Sequence, residues 1–495
     1  MTSKAQHLPR GGKELTIAAF CGLVTALVLV QAFLLPPKWT VFILLALCAL
    51  AGLAMIRRRE RFLLYLAVLF MSVYLDFHPY YLQTETTPWP VAGMRISIFD
   101  VVFFCLMMAW ASRLVLQPTE VLHFYPGISL PFLLLWGLAV LSTTRAAIPM
   151  VIKIDTLWMV FQSWLIFLYF ANTCRDRPLL RGIVAVLLLS GIFQALLGLG
   201  QYLSGSSLGL DIFGESKTFM EMRAGTELVS RVAGTFGHPN NLSAYLTMLL
   251  MVNLALLFAD IDLRWKLILL PVLALLGLAN LLTLSRGGWL ATSIGAYVTL
   301  ALGWGRLWRH RLAAFLLAGV ILLTFVFSSL AFVEPLKRRF FEEDYGAAQS
   351  RLPMSLVALN IIRHHPFLGV GLTNYVMVAP KYDITKEAIA TDFPRPVHNE
   401  FLLIAAELGL PALLLFLAIL VKLLRQLWRL SNTSRDPLLP YLAIGLFGTF
   451  IAWIVFRQTD YAYVLLADPF WILAGLTQAM IAMDSAGPGP TAPGS

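Results

Sequence analysis

The chain has 495 residues, of which 59% are hydrophobic and 13% charged, and a formal net charge of +10. Apolar runs of roughly 20 residues recur from end to end, more apolar surface than a soluble protein of this length can hide, so the composition excludes a soluble enzyme. The excess Lys and Arg falls in short clusters between those runs, which is the pattern of topology signals and excludes nucleic acid as the expected partner.

Residues 1–13 are polar and basic and lead into a long apolar run, which reads as an uncleaved first span. Fourteen candidate spans follow in chain order, near 14–35, 39–56, 62–75, 97–116, 127–143, 154–172, 181–203, 240–259, 266–284, 287–304, 312–332, 400–421, 437–456 and 462–483. Basic clusters at Lys4/Arg10/Lys13, Arg57–Arg61, Arg175–Arg181, Arg264/Lys266, Arg306–Arg311 and Lys422–Arg435 fall on alternate connections. By the positive-inside rule both termini are then cytoplasmic, and the segments 76–96, 204–239 and 333–399 face outward, into the periplasm of a Gram-negative cell. The expected fold is an all-α polytopic transmembrane helical bundle, one membrane domain over 1–484. It carries a periplasmic cap at 333–399, in which 351–363 has the spacing of a short amphipathic helix. Residues 485–495 are Gly/Pro-rich and read as a disordered tail. Cys21, Cys48, Cys105 and Cys174 lie within or beside apolar runs, so neither a disulfide framework nor a Cys-based zinc site is indicated.

Polar residues concentrated on the outer side are the candidates for chemistry. Arg286 sits in a tight turn, Ser285-Arg286-Gly287-Gly288, where a cation either snorkels to headgroups or binds an anion, and the glycines let a ligand come close. Arg231 precedes Gly234-Thr235-Phe236-Gly237-His238-Pro239-Asn240-Asn241 and then an apolar helix. His238, Asn240 and Asn241 fit capping chemistry, and the amides of that helix start would add positive potential near a phosphate. His398 and Asn399 open the twelfth expected span; a water-facing histidine at the mouth of a helix can reach a hydroxyl and take its proton. Glu407, two to three turns further along at about 1.5 Å per residue, is too far for proton exchange with His398 and reads as structural, with a specific partner. The cap adds Arg351, Arg363, His364, His365, Tyr375, Lys381 and Arg395, which fit either substrate or anionic headgroups, and Lys337, Arg338 and Arg339 lie just outside the eleventh span.

Four ordered motifs, GTFGHPNNLSAYL, LSRGGWLA, PFLGVGLTNY and HNEFLLIAAELGL, resemble the O-antigen ligase and polymerase family of bacterial envelope proteins, over about residues 225–425. The resemblance implies an inner-membrane glycosyltransferase without metal or other cofactor. Its partners would be an undecaprenyl-diphosphate-linked glycan donor, a hydroxyl-bearing glycan or lipid acceptor, and membrane lipids. Carried over by motif, Arg231 and Arg286 would hold the diphosphate and His398 would act as base or orient the acceptor. His238, Asn240, Tyr375, Arg395 and Asn399 would line the substrate site. In ligases of this family the last motif tends to close on Gly, Thr or Tyr three residues after the glycine; here Gly409 fits and the closing residue is Ala412, which shifts the balance towards a polymerase. Two competing readings follow from the residues. Asp76 and His78 could hold a metal in a metal-dependent glycosyltransferase, although no second close carboxylate accompanies them. A transporter or flippase of lipid-linked sugars would place charges at mid-membrane, and the span centres here are almost free of them, with Asp468-Pro469 as the main exception.

Overall fold

The computed structural model describes residues 59–73, 76–81, 93–117, 119–216, 220–224, 227–307, 350–466 and 468–486. The expected spans 14–35, 39–56 and 312–332, the cluster Lys337–Arg339, Cys21, Cys48, the side chains of Asp76 and His78, and the tail from 487 lie outside the described residues. The chain divides into two compact units, Met1–Leu63 and Leu64–Ser495, the first described only from Arg59.

The helices are α1 (Arg59–Phe70), α2 (Ile98–Leu116), α3 (Pro126–Thr143), α4 (Met150–Thr173), α5 (Arg177–Ser204), α6 (Pro239–Leu256), α7 (Leu263–Leu282) and α8 (Arg286–Leu307). They continue with α9 (Arg351–His364), α10 (Glu400–Leu408), α11 (Leu410–Thr433), α12 (Leu439–Phe456) and α13 (Asp468–Ser485). Among the described residues, seven helices (α2, α3, α4, α5, α7, α11 and α12) are long and apolar enough to cross a membrane. The protein is an all-α, multi-pass membrane protein. Two features depart from the sequence expectation of helix alone. The antiparallel hairpins β1–β2 (Asp76–Tyr81, Gly93–Ser97) and β3–β4 (Met220–Ala224, Glu227–Arg231) occupy two of the polar segments. Asp468, expected inside the last span, is instead the first residue of α13.

Helix α6 is the centre of the packing. Tyr245 through Leu256 are all buried, and α5, α7, α8 and α12 surround it, as expected for a helix that is apolar all round. Outside it, α13 packs on α4, and α11 packs on α3 and α12. Helix starts are chemically marked. Ser97 and Asp100 form a reciprocal capping box at α2, and Asn399 caps α10 by accepting from the amides of Phe401 and Leu402 at 3.0 and 3.1 Å. Pro239 occupies the first turn of α6, where its missing N–H costs nothing.

The twelfth expected span is not one helix. Gly409 adopts φ +87°, a conformation that favours glycine, and a Cβ there would overlap the Phe367 carbonyl. The chain breaks between α10 and α11, and the segment Pro366–Gly371 fills the break. Val370 N–H donates to the Ala406 carbonyl at 3.0 Å, Gly371 N–H to the Glu407 carbonyl at 2.9 Å, and Leu410 N–H to the Pro366 carbonyl at 2.8 Å. Ser142 Oγ of α3 also donates to the Glu407 carbonyl at 2.7 Å. Backbone groups that a continuous helix would have paired are thus satisfied by the cap. Helix α9, the expected amphipathic element, turns Met354, Val357, Ala358 and Ile361 inward and packs on α10.

Candidate active site

Three consecutive residues at the head of α10 do three different jobs. Asn399 caps the helix and donates from Nδ2 to Gln458 Oε1 at 3.1 Å. Glu400, buried, accepts from the amides of Ala462, Tyr463 and Val464 at 2.7, 3.1 and 2.6 Å, while its own amide donates to the Arg457 carbonyl at 2.9 Å. That clamp fixes the connection from α12 to α13 against the residue before it, His398. The connection carries Asp460, whose Oδ1 lies 3.1 Å from His398 Nδ1 and also accepts from the Tyr461 amide at 3.0 Å.

Asp460 is 9% exposed by its side chain and His398 27%. Burial pushes the Asp460 carboxyl up, but the His398 hydrogen bond and the charges of His398, Arg457 and His238 outweigh it and hold it below the ordinary carboxylate range. An ionised Asp460 can only accept, so the bond requires Nδ1–H on the histidine, and in the neutral imidazole the lone pair is then on Nε2. Tyr461 stacks edge-on to the imidazole, with centroids 5.4 Å apart.

The second carboxylate oxygen leads to the other motifs. Asn240 Nδ2 donates to Asp460 Oδ2 at 2.9 Å, and Asn240 Oδ1 accepts from Arg231 Nη2 at 3.0 Å. Arg231 is buried, and its Nε donates to the Thr283 carbonyl at 2.9 Å, which ties the end of β4 to the turn before Arg286. Burial brings Arg231 down to about 10, with Asp460 opposing and the charge of Arg286 adding to the fall, so it stays a cation at neutral pH. Arg286, half-buried as the first residue of α8, lies within electrostatic reach of Arg351 as well. A Cβ at Gly287 would overlap Thr459 Oγ1, so the glycine permits α8 to close on the residue next to Asp460. An unbroken line Arg231–Asn240–Asp460–His398 results, with Arg286 beside its cationic end.

His238 caps α6, its Nδ1 accepting from Asn240 N–H at 3.1 Å. Burial brings this imidazole down to about 4 against the pull of Asp460, with Arg231, Arg395 and His398 also disfavouring its charge. It is neutral at neutral pH. Its folded-state value lies below the ordinary histidine range, so the unfolded chain binds the proton more readily. The fold therefore loses stability as pH falls from about 6.5 towards 4. His238→Asn keeps a capping acceptor without a titrating ring and is expected to flatten the fall in unfolding temperature across that window. The same fall in variant and parent would contradict the assignment.

Tyr375 and Glu407 lie elsewhere. Tyr375 is buried with its hydroxyl 3.4 Å from the Met354 carbonyl, and its amide donates to Glu407 Oε1 at 3.2 Å. Glu407 also accepts from the Thr373 amide, so its partners are the backbone of the PFLGVGLTNY turn. The pair locks the cap onto α10. Arg395 is exposed, its guanidinium 6.0 Å from the Phe393 ring centroid.

A cavity of about 600 Å³ adjoins the His398–Asp460 pair. Its polar wall includes His238, Arg395, His398, Arg457, Asp460 and Tyr461, and its apolar part runs between helices past Phe99, Met248, Phe450, Trp453 and Phe470. Arg95 of β2 also lines it. The volume and the mixture of walls suit a ligand with a polar head and an apolar tail. Among the described residues, no three His, Cys, Asp or Glu group as metal ligands.

Residues 271–417 match the family model described as O-antigen ligase. These residues form an O-antigen ligase family domain. No curated protein matches the chain. A chain from the solved structure reported as "Structural coordination of polymerization and crosslinking by a peptidoglycan synthase complex" aligns over 72% of this chain and 96% of that one. Its identity is 17% and its TM-score 0.36, a likeness too distant to bear on function.

The O-antigen ligase domain contains Arg286, Arg395, His398 and Asn399. Arg231, His238 and Asn240 precede it, and Asp460 follows it, so the line of hydrogen bonds is completed from both sides of the domain. A domain of this family supports a coarse reading, a membrane enzyme of glycan transfer in polysaccharide assembly that uses a lipid-linked glycan and an acceptor. Asp460, Glu400, Arg457 and Arg95 were not singled out in the sequence. A short polar connection between the last two expected spans, Arg457-Gln458-Thr459-Asp460-Tyr461, was the available signal for Asp460.

Proposed function

We propose that the protein transfers or polymerises glycan from undecaprenyl diphosphate onto a hydroxyl acceptor at the periplasmic face of the inner membrane, by metal-independent inverting substitution. The observation that carries this reading is the line Arg231–Asn240–Asp460–His398 beside a cavity that is polar at one wall and apolar between the helices. In the reaction the bond from the first sugar carbon to the diphosphate oxygen breaks and its electron pair leaves with the lipid diphosphate. The acceptor oxygen attacks the opposite face of that carbon, and its proton passes to His398 Nε2. Asp460 holds the tautomer and stabilises the imidazolium that forms.

Charge grows on the diphosphate as the bond breaks, and a guanidinium fork matches phosphate oxygens better than an ammonium does. Arg286, half-buried at a glycine-lined turn, contacts the diphosphate. Arg231 stands behind it, adding positive potential and holding Asn240 with the nitrogens already engaged. The apolar part of the cavity seats the first isoprene units of the carrier. Polymerase and ligase share this chemistry and differ in acceptor. Ala412, the unusual closing residue of the last motif, is fully buried in α11. The glycan profile of a strain deleted for the gene separates the two. Single lipid-linked repeat units accumulate if it polymerises, and long polymer is stranded on the carrier if it ligates. An unchanged profile rejects both.

A further inference from the structure

Arg95 lies far from the family domain in sequence, yet it lines the cavity that holds His398 and Asp460. Met71, Val73, Ser97 and Phe99 line the same cavity, and Arg95 is half-buried. Such a charge requires a partner, and the structure supplies one behind it. Asp155 of α4, buried, accepts the Arg95 backbone N–H and lies within electrostatic reach of its guanidinium. Asp100, the other nearby carboxylate, is occupied at both oxygens. Its Oδ2 accepts from the Ser97 amide and Ser97 Oγ at 2.7 Å each, and its Oδ1 accepts from Gln162 Nε2 at 2.6 Å. The hairpin end that carries Arg95 is therefore fastened to both α2 and α4.

The charge balance of the cavity points the same way. Among the described residues that line it, Arg95, Arg395 and Arg457 face a single carboxylate, Asp460, which is engaged by His398 and Asn240. Among the groups that line the cavity guanidinium thus exceeds carboxylate, which raises its affinity for anions. Arg231 and Arg286 are not among these lining residues, so the cavity's cations form a second group beside theirs.

We infer that Arg95 is a substrate-binding residue whose guanidinium holds a phosphoryl group of the molecule seated in the cavity, with Asp155 fixing its backbone. The inference rests on the glycan-transfer reading above. Two sources present that chemistry, the diphosphate of the polyprenyl donor and a phosphate carried by the acceptor.

The test measures binding to the full-length protein in lipid nanodiscs, with farnesyl diphosphate, a phosphorylated hexose and uncharged farnesol as probes. Arg95→Ala is expected to weaken one anionic probe about tenfold to a hundredfold and leave farnesol unchanged. Loss for farnesyl diphosphate assigns the donor, and loss for the hexose phosphate alone assigns the acceptor. Arg95→Lys is expected to recover part of the affinity, because it restores charge without the planar fork. If the alanine variant does not fold, Arg95→Gln carries the same expectation. Were Arg95 only a structural partner of Asp155, unfolding temperature would fall while the folded protein bound both anions as the parent does, and that result overturns the inference alone. Failure of the parent protein to bind either anionic probe overturns the glycan-transfer reading together with it.

Discussion

His398→Ala lowers the rate of glycan transfer by about 10²–10⁴-fold while the protein remains folded and inserted, the usual contribution of a positioned general base. The expectation follows from geometry. The imidazole is part-exposed at the cavity, and its Nδ1 is committed to Asp460 at 3.1 Å. Proton acceptance therefore falls to Nε2, and alanine leaves nothing in its place. Because Asn399 and Glu400, not His398, cap α10 and clamp the neighbouring connection, the substitution spares the fold. The check is the initial transfer rate at matched membrane abundance. A rate within a few-fold of the parent would remove His398 from the chemistry.

Asp460→Asn is expected to cost a comparable factor, about 10²–10⁴-fold, despite being nearly isosteric. The carboxylate accepts at both oxygens, from His398 on one side and from Asn240 on the other. An amide has one acceptor and one donor end. If its oxygen faces Asn240, its NH2 meets Nδ1 and drives the proton to Nε2, the wrong tautomer for a base. If its oxygen faces His398, two NH2 groups oppose each other and the link to Arg231 through Asn240 breaks. Burial of the group makes either mismatch costly. The variant should retain donor binding through Arg286, so the loss is expected in kcat with little change in KM. A variant with parental kcat would show that the carboxylate does not govern His398.

What the sequence made legible was set by scale. Long apolar runs mark helices independently of their neighbours, so most described helices lie within a few residues of their expected spans. Short polar segments carry weaker signals. The β1 strand, Asp-Phe-His-Pro-Tyr-Tyr, contains a proline that argues against a strand, and its pairing partner lies across a long connection. The break at Gly409 hides inside an apolar stretch whose hydropathy continues on both sides, although a glycine followed within two residues by proline is a helix-ending pattern. Motif order brought Arg231, His238, Asn240, Arg286 and His398 to attention together. Their connection runs through Asp460, more than sixty residues beyond His398, and only the folding of α12 back onto α6 and α8 brings it there. Tyr375 drew notice because glycines precede it; those glycines serve the contact with α10, and its ring is spent on packing.

The central claim is that a bond to a lipid diphosphate is broken on this protein. Its most direct test reconstitutes the purified full-length chain in vesicles with an undecaprenyl-diphosphate-linked repeat unit and an acceptor, in the presence of a chelator. One undecaprenyl diphosphate released per glycan transferred, with inverted configuration at the new linkage, is the predicted result. Movement of intact lipid-linked glycan across the bilayer with no release of the carrier would contradict it.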